Sequence, residues 1–208
     1  MNERNTAIKW TSEHEKKYVD DSLARMRAFP AKYKRRIELI HRSLNRDKSQ
    51  EFIRLHHRHS RPLKRHMFSI GAFSPIAERL ILGVATIDHC SSKYNQRRDH
   101  IEIRRVCVRP DVDAGNNVAS FLIGKACQAV FAMGYRVIIT YSQPHESGAS
   151  LKAAGFCIQE QTKGGLIRWI KIRGQQATSC EREFTNRVLE TNRNLLTTRN
   201  PNDHQPTR

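Results

Sequence analysis

The sequence predicts an α/β domain, and three observations carry that prediction. Over residues 101–156 a β-rich run, a polar loop, a long helix with an apolar stripe, a second β-run and a short helix follow one another. Hairpin patterns flank this unit on both sides, over 67–87 and 156–172. Beyond them the apolar residues thin out. A chain of 208 residues can bury one good core, so one domain with tails is expected. The division is a basic, partly helical N-terminal extension over 1–48, the α/β domain over 49–173, and a polar, mostly disordered tail over 174–208.

In chain order, residues 12–29 read as a charged helical segment that Pro30 ends. Over 32–44, Tyr33, Ile37, Ile40 and Leu44 share one helical face, with Lys32, Lys34, Arg35, Arg36 and Arg42 around it. That is the pattern of an amphipathic basic helix. Its charges either stay solvated or meet a nucleic-acid backbone, with Lys34, Arg35 and Arg36 as the contacts. A short helix from Ser49 turns Phe52 and Leu55 inward. It runs into a stretch in which His56, His57, His59 and His66 alternate with Arg58, Arg61, Lys64 and Arg65. Three readings stand for it. A metal site wants paired histidines with a carboxylate partner, and none lies nearby in sequence. A phosphate-gripping loop would use Arg58 and Arg61. A catalytic imidazole, His57, would exploit a group that titrates near neutrality.

Residues 67–73 and 80–87 flank a turn holding Pro75, an antiparallel hairpin. Residues 88–100 are polar and read as an exposed loop. After the strand at 101–110, the helix over 118–133 shows Ala119, Leu122, Ile123, Ala126, Val130 and Met133 at spacings of three and four. Asn116 or Asn117 can cap it and Gly134 lies past its end. The run from Val137 to Tyr141 is short and β-branched, as expected of a strand buried on both faces. The connection is long enough for a right-handed crossover between parallel strands. Lys163-Gly164-Gly165, between 156–161 and 166–172, marks the second hairpin.

Several side chains in this unit can carry chemistry. Glu102 alternates away from Ile101 and Ile103, so it either serves as a general base in a cleft or pairs with Arg104 or Arg105 on the strand surface. Arg105 can bind a phosphate or an acyl donor. Ser120, near the helix start, either bonds a phosphate or caps. Tyr141 stands at a strand's carboxyl end, where open α/β sheets place ligand groups, and reads as an acid or as a buried anchor. Glu146 is a loop residue whose plainer role is capping. A helix start also offers free N–H groups and a positive dipole to an anion such as a pyrophosphate.

Composition narrows the partners. The formal net charge is +17 and the isoelectric point about 10.2. Such a chain attracts polyanions, nucleic acid first among them; general solubility is the plainer explanation. The five cysteines are scattered with no Cys-x-x-Cys pair, so neither a zinc knuckle nor a disulfide framework is indicated. No metal site is expected. The N-terminus is polar and no stretch is long enough to span a bilayer, so the protein reads as cytoplasmic with no membrane partner.

The strand ending Val106-Cys107-Val108-Arg109-Pro110, the loop and helix, and the short helix closing in Ala154-Gly155-Phe156 resemble the core of the GNAT acyltransferase superfamily. More narrowly, Glu102, Arg105, Asn117-x-x-Ser120, Thr140-Tyr141 and Gly148–Phe156 are similar to Mom-type phage DNA-modification proteins. Upstream, His56-His57, the run from Phe68 to Phe73 and Leu82-Gly83-Val84-Ala85 fit as well. The resemblance implies a GNAT-like mixed central sheet flanked by helices. It also implies acetyl-CoA or a related acyl-CoA as donor, held at Val106, Val108, Asn116, Asn117 and Ser120. Glu102, Tyr141 and His57 are then the catalytic candidates, and a nucleic-acid base the acceptor. The alternatives are a small-amine or protein acceptor, or a non-catalytic nucleic-acid-binding protein of a mobile element. Three positions depart from the family pattern. Asn117 stands where the loop's central glycine belongs, Leu151 where many GNAT enzymes carry a tyrosine acid, and Gln143 where the Mom-type pattern is acidic.

Overall fold

The β-branched and aromatic runs become strands β1 (Ile40–Leu44), β2 (Phe68–Ser74), β3 (Ala77–Asp88), β4 (His100–Val108), β5 (Val137–Ser142), β6 (Cys157–Gln161) and β7 (Ile167–Ile172). The helices are α1 (Arg46–His56), α2 (Val118–Ala132) and α3 (Ala149–Ala153), with a 3₁₀ turn at Lys93–Asn95. This computed structural model describes residues 38–57, 61–75, 77–110 and 117–175, together with scattered helical positions between 13 and 24.

All seven strands join one sheet in the order β1-β2-β3-β4-β5-β7-β6. The one parallel pair is β4 with β5, and α2 supplies the long connection that a parallel pair requires. The hairpin β6–β7 folds back so that β7 pairs β5 along its whole length, from Val137↔Ile172 to Ser142↔Ile167. β5 is therefore interior, which is why its sequence is almost unbroken in β-branched residues.

α2 covers one face. Val118, Leu122, Ile123, Ala126 and Val130 are buried against Leu82, Ile101, Ile103, Ile138 and Trp169; each large side chain so buried contributes about 1.5–3 kcal/mol. Gly83 sets how closely the helix approaches. A Cβ there would lie 2.9 Å from Val118 Cγ1, Leu122 Cδ1 and the Cys107 carbonyl oxygen, so only a bare backbone lets the first turn of α2 settle beside β4. On the opposite face Phe52 and Ile53 of α1 pack on Val84 and Cys107. Beyond them Cys90 packs in one cluster with Val137, Ile139 and Ile170. Cys90, Cys107 and Cys127 are buried; Cys157 is disulfide-bonded, in a sequence whose cysteine spacing indicates no disulfide framework.

Four expectations need correction. The helix anticipated over 32–44 is, in its described part, strand β1, paired antiparallel from Ile40↔Phe73 to Leu44↔Ser69. Helix α1 begins earlier than expected, at Arg46, because the Asn45 side chain accepts from the Lys48 N–H at 2.9 Å; the boundary expected at 49 thus falls inside a helix. Leu55 and Met133, expected inward, are 59% and 53% exposed. Asn117 occupies the cap position of α2 but makes no side-chain cap bond, its backbone being left-handed at φ 52°. Lys34, Arg35, Arg36, Arg58, Asn116 and the tail from 176 lie outside the described residues.

Gly148, at the start of α3, has φ +63°, and a Cβ on it would collide with the Trp169 ring. Backbone strain and overpacking each cost on the order of 1–3 kcal/mol. Gly148→Ala is therefore expected to lower unfolding free energy by about 2 kcal/mol or more in urea titration. An unchanged midpoint would contradict this packing.

Candidate active site

β4 and β5 pair for only three residues, His100↔Val137, Ile101↔Ile138 and Glu102↔Ile139. There the ladder ends and the strands part. Thr140 Oγ1 marks the apex, donating to the Ile103 carbonyl at 2.9 Å. The register against β3 passes from Ile87↔Ile103 to Thr86↔Arg105, which leaves Arg104 as an extra residue on β4. An extra residue bends a strand and increases its twist, here turning β4 away from β5. Each strand meanwhile stays paired to its outer neighbour, β3 or β7.

The parting exposes backbone. Arg109 N–H donates to the Leu82 carbonyl at 2.9 Å, so Arg109 and, two residues before it, Cys107 direct their groups toward β3. Val106 and Val108 alternate with them and direct their N–H and C=O groups to the β5 side, where no strand runs among the described residues. The start of α2 meets the same opening. Its first internal bond runs from Phe121 N–H to the Asn117 carbonyl, 2.9 Å, which leaves the N–H groups of Val118, Ala119 and Ser120 without intrahelical partners. Asn117, Val118 and Ala119 line the cleft; Ser120 sits in that first turn but does not line it. The left-handed backbone at Asn117 is one that asparagine adopts more readily than other side-chain-bearing residues. It therefore substitutes for the expected glycine in conformation, though not in bulk.

Between the parted strands lies a cleft of about 1730 Å³. Glu102 and Tyr141 both line it. The Glu102 carboxylate is buried, at 4% exposure. One oxygen accepts from Ser91 N–H at 2.7 Å and Ser91 Oγ at 2.8 Å. The other lies 3.2 Å from Arg104 Nε, an ion pair whose angle is too poor for a hydrogen bond. The pairing with Arg104 is the plainer of the two readings the sequence allows. Tyr141 OH accepts from Asn95 Nδ2 at 3.1 Å, and Arg168 Nη1 donates to Asn95 Oδ1 at 3.2 Å. Burial, and then the negative charge of Glu102, raise the Tyr141 phenol above its ordinary value, against the Asn95 hydrogen bond. The phenol therefore keeps its proton.

Arg105 lines the same wall, its Nη1 donating to the Arg104 carbonyl at 2.7 Å and its buried Nε finding no partner among the described residues. Burial and then Arg104 lower its pKa. His57, the C-cap of α1, lines the cleft together with His56, whose ring packs on Phe52 at 4.6 Å. Arg61 is exposed and stands outside the cleft. Glu146 closes its own turn by accepting from Gln143 N–H at 2.8 Å. Leu151 is packed in the core with Phe156 and Trp169 and brings no polar atom to the cleft. Ser91, Asn95 and Arg168 were missed from sequence. Each is an ordinary polar residue locally, and Arg168 meets Asn95 across 73 positions. Among the described residues no group of His, Cys, Asp or Glu is placed to hold a metal ion, and no helix is long and apolar enough to cross a membrane.

No family model matches the chain, and no curated protein does. Acetyltransferases are among the solved structures with a similar fold. One is an IAA acetyltransferase of Bacillus cereus ATCC 14579, with TM-score 0.50 and 13% identity over 65% of this chain and 99% of that one. Another is an N-acetyltransferase of Staphylococcus aureus Mu50, with TM-score 0.50 and 14% identity over 65% and 98%. A third, a putative phosphinothricin N-acetyltransferase, has TM-score 0.50 and 13% identity over 66% and 100%. At such identities the likeness is one of fold: a seven-stranded mixed sheet flanked by helices, GNAT-like, as the sequence resemblance implied.

Removing the Glu102 carboxylate leaves Arg104 and the Ser91 donors without their acceptor. Glu102→Ala is expected to cost about 2–3 kcal/mol of stability, read by denaturant unfolding. A loss under about 0.5 kcal/mol would show that the network does not hold the 89–99 loop.

Proposed function

We propose that the protein transfers an acyl group from an acyl-CoA to an amine of nucleic acid. The observation that carries this reading is the open backbone edge at Val106 and Val108, facing the cleft beside the start of α2. An extended amide-bearing arm can add to such an edge as a strand would, by N–H···O=C pairing. A pyrophosphate fits the free N–H groups and positive end of a 15-residue helix. In this reading Val106 and Val108 hold the arm, and Asn117 with Val118 and Ala119 holds the phosphates.

Transfer of an acyl group from sulfur to an amine forms one C–N bond and breaks one C–S bond. One proton leaves the amine and one reaches the departing sulfur. Tyr141, kept protonated by its surroundings, supplies the second. Glu102 accepts the first, directly or through water; a carboxylate offers about four lone-pair positions, and its protein donors leave room for one more. The acceptor assignment rests on charge. Arg104, Arg105, Arg109, Lys163 and Arg168 stand on the cleft walls in a chain of net charge +17. An amine on a nucleic-acid base is also what the resemblance to Mom-type proteins implies. One observation favours a second reading, a binding protein without turnover: buried Leu151 replaces the usual acid. On that reading Tyr141 would be only an anchor.

Incubation with acetyl-CoA and DNA, followed by mass spectrometry of the released nucleosides, is expected to show a base heavier by one acetyl group. Tyr141→Phe is expected to lower turnover by roughly 10²–10⁴-fold, the usual worth of a general acid, with DNA affinity unchanged. Wild-type turnover in that variant would remove Tyr141 from the reaction. DNA binding with no acetylated base in wild type would favour the binding-only reading.

A further inference from the structure

Beside the cleft, on the sheet face carrying Glu102 and Tyr141, lies a second cavity of about 440 Å³. Its floor is apolar, formed by Val137 and Ile139 of β5 and Ile170 and Ile172 of β7. Its rim carries Tyr94, Arg97 and Arg136. Tyr94 is 92% exposed, held out by the 3₁₀ turn at Lys93–Asn95. A lone exposed aromatic is ordinary; one on the rim of an apolar-floored cavity among guanidinium groups is not. Arg97 is exposed and its guanidinium has no ion-pair or hydrogen-bond partner among the described residues. Arg136 is close enough to Asp99 to help hold that carboxyl below its usual range, but the main cause is the bond from His100, at 2.8 Å. One carboxylate, itself engaged by His100, thus shares the cavity lining with Arg97, Arg136 and Arg168.

The two cavities share a wall. Tyr94, Asn95 and Arg168 line both, and Asn95 is the residue that donates to Tyr141 OH. A chain lying in the small cavity would therefore lead to the phenol.

We propose that this cavity is a subsite for single-stranded nucleic acid, resting on the reading of nucleic acid as acceptor. A base stacks on Tyr94 above the apolar floor, Arg97 and Arg136 take the adjoining phosphates, and the neighbouring base is delivered past Asn95 to Tyr141. Single strands are specified because a base within a duplex has no free face to stack on an aromatic ring. Guanidinium groups match phosphate oxygens in pairs.

The test is anisotropy of a fluorescent mixed-sequence single-stranded oligodeoxynucleotide with the full chain, for wild type, Tyr94→Ala and the double variant Arg97→Ser/Arg136→Ser. All three positions are exposed, and thermal melting confirms that the fold is kept. Tyr94→Ala is expected to weaken binding about tenfold, and the arginine variant to lower the slope of log affinity against log salt by roughly one to two. Acetyl-CoA binding is expected to stay as in wild type. Oligonucleotide binding unaltered in both variants overturns the subsite while leaving the acceptor reading standing. No oligonucleotide binding by wild type overturns both. Polyglutamate of equal charge competing as well as unlabelled oligonucleotide also overturns the subsite, since charge without stacking would then suffice.

Discussion

The broken ladder between β4 and β5 is the constraint on which the rest of this structure depends. Backbone N–H and C=O groups inside a sheet are costly to leave unpaired, yet here pairing stops after three residues. Three features maintain the gap. The extra residue at Arg104 bends β4, the Thr140 hydroxyl closes the apex on Ile103, and β3 and β7 hold the two strands in place from outside. The Val106 and Val108 groups are therefore left open to the cleft. Gly83 completes the arrangement from below, since its missing Cβ lets α2 bring its free N–H groups to the same opening.

Electrostatics are set by the same bend. It places Arg104 against Glu102 and Arg105 against the Arg104 carbonyl. Buried Glu102 then acts in two directions, anchoring the 89–99 loop through Ser91 and helping keep the Tyr141 phenol protonated. That loop carries Asn95, which joins Tyr141 to Arg168. Packing, loop position and the protonation of the proposed acid are thus linked through one carboxylate.

Much of this was legible in the sequence because it rests on local pattern. The apolar spacing of α2, the β-branched run of β5 and the Lys163-Gly164-Gly165 turn each report a structure confined to neighbours. β1 was not legible. Ile40 and Leu44 stand four apart, which reads as a helical face, but in β1 they are the two half-buried ends of a strand paired with β2. Only that long-range partner separates the two patterns. Asn95 and Arg168 were hidden for a related reason, since their meeting is a property of the sheet order β5-β7 and of no local motif. That Glu102 and Tyr141 line the cleft was legible because alternation along a strand, and position at its carboxyl end, are local facts.

The most direct measurement is amide hydrogen exchange at Val106 and Val108 with and without CoA. Their N–H groups belong to strand β4 yet face no partner strand among the described residues, so they are expected to exchange much faster than that of Cys107. Saturating CoA is expected to slow both by tenfold or more while Cys107 changes little. Protection of Val106 and Val108 equal to that of Cys107 in the free protein, or indifferent to CoA, would contradict the account of an open edge built to take an acyl donor.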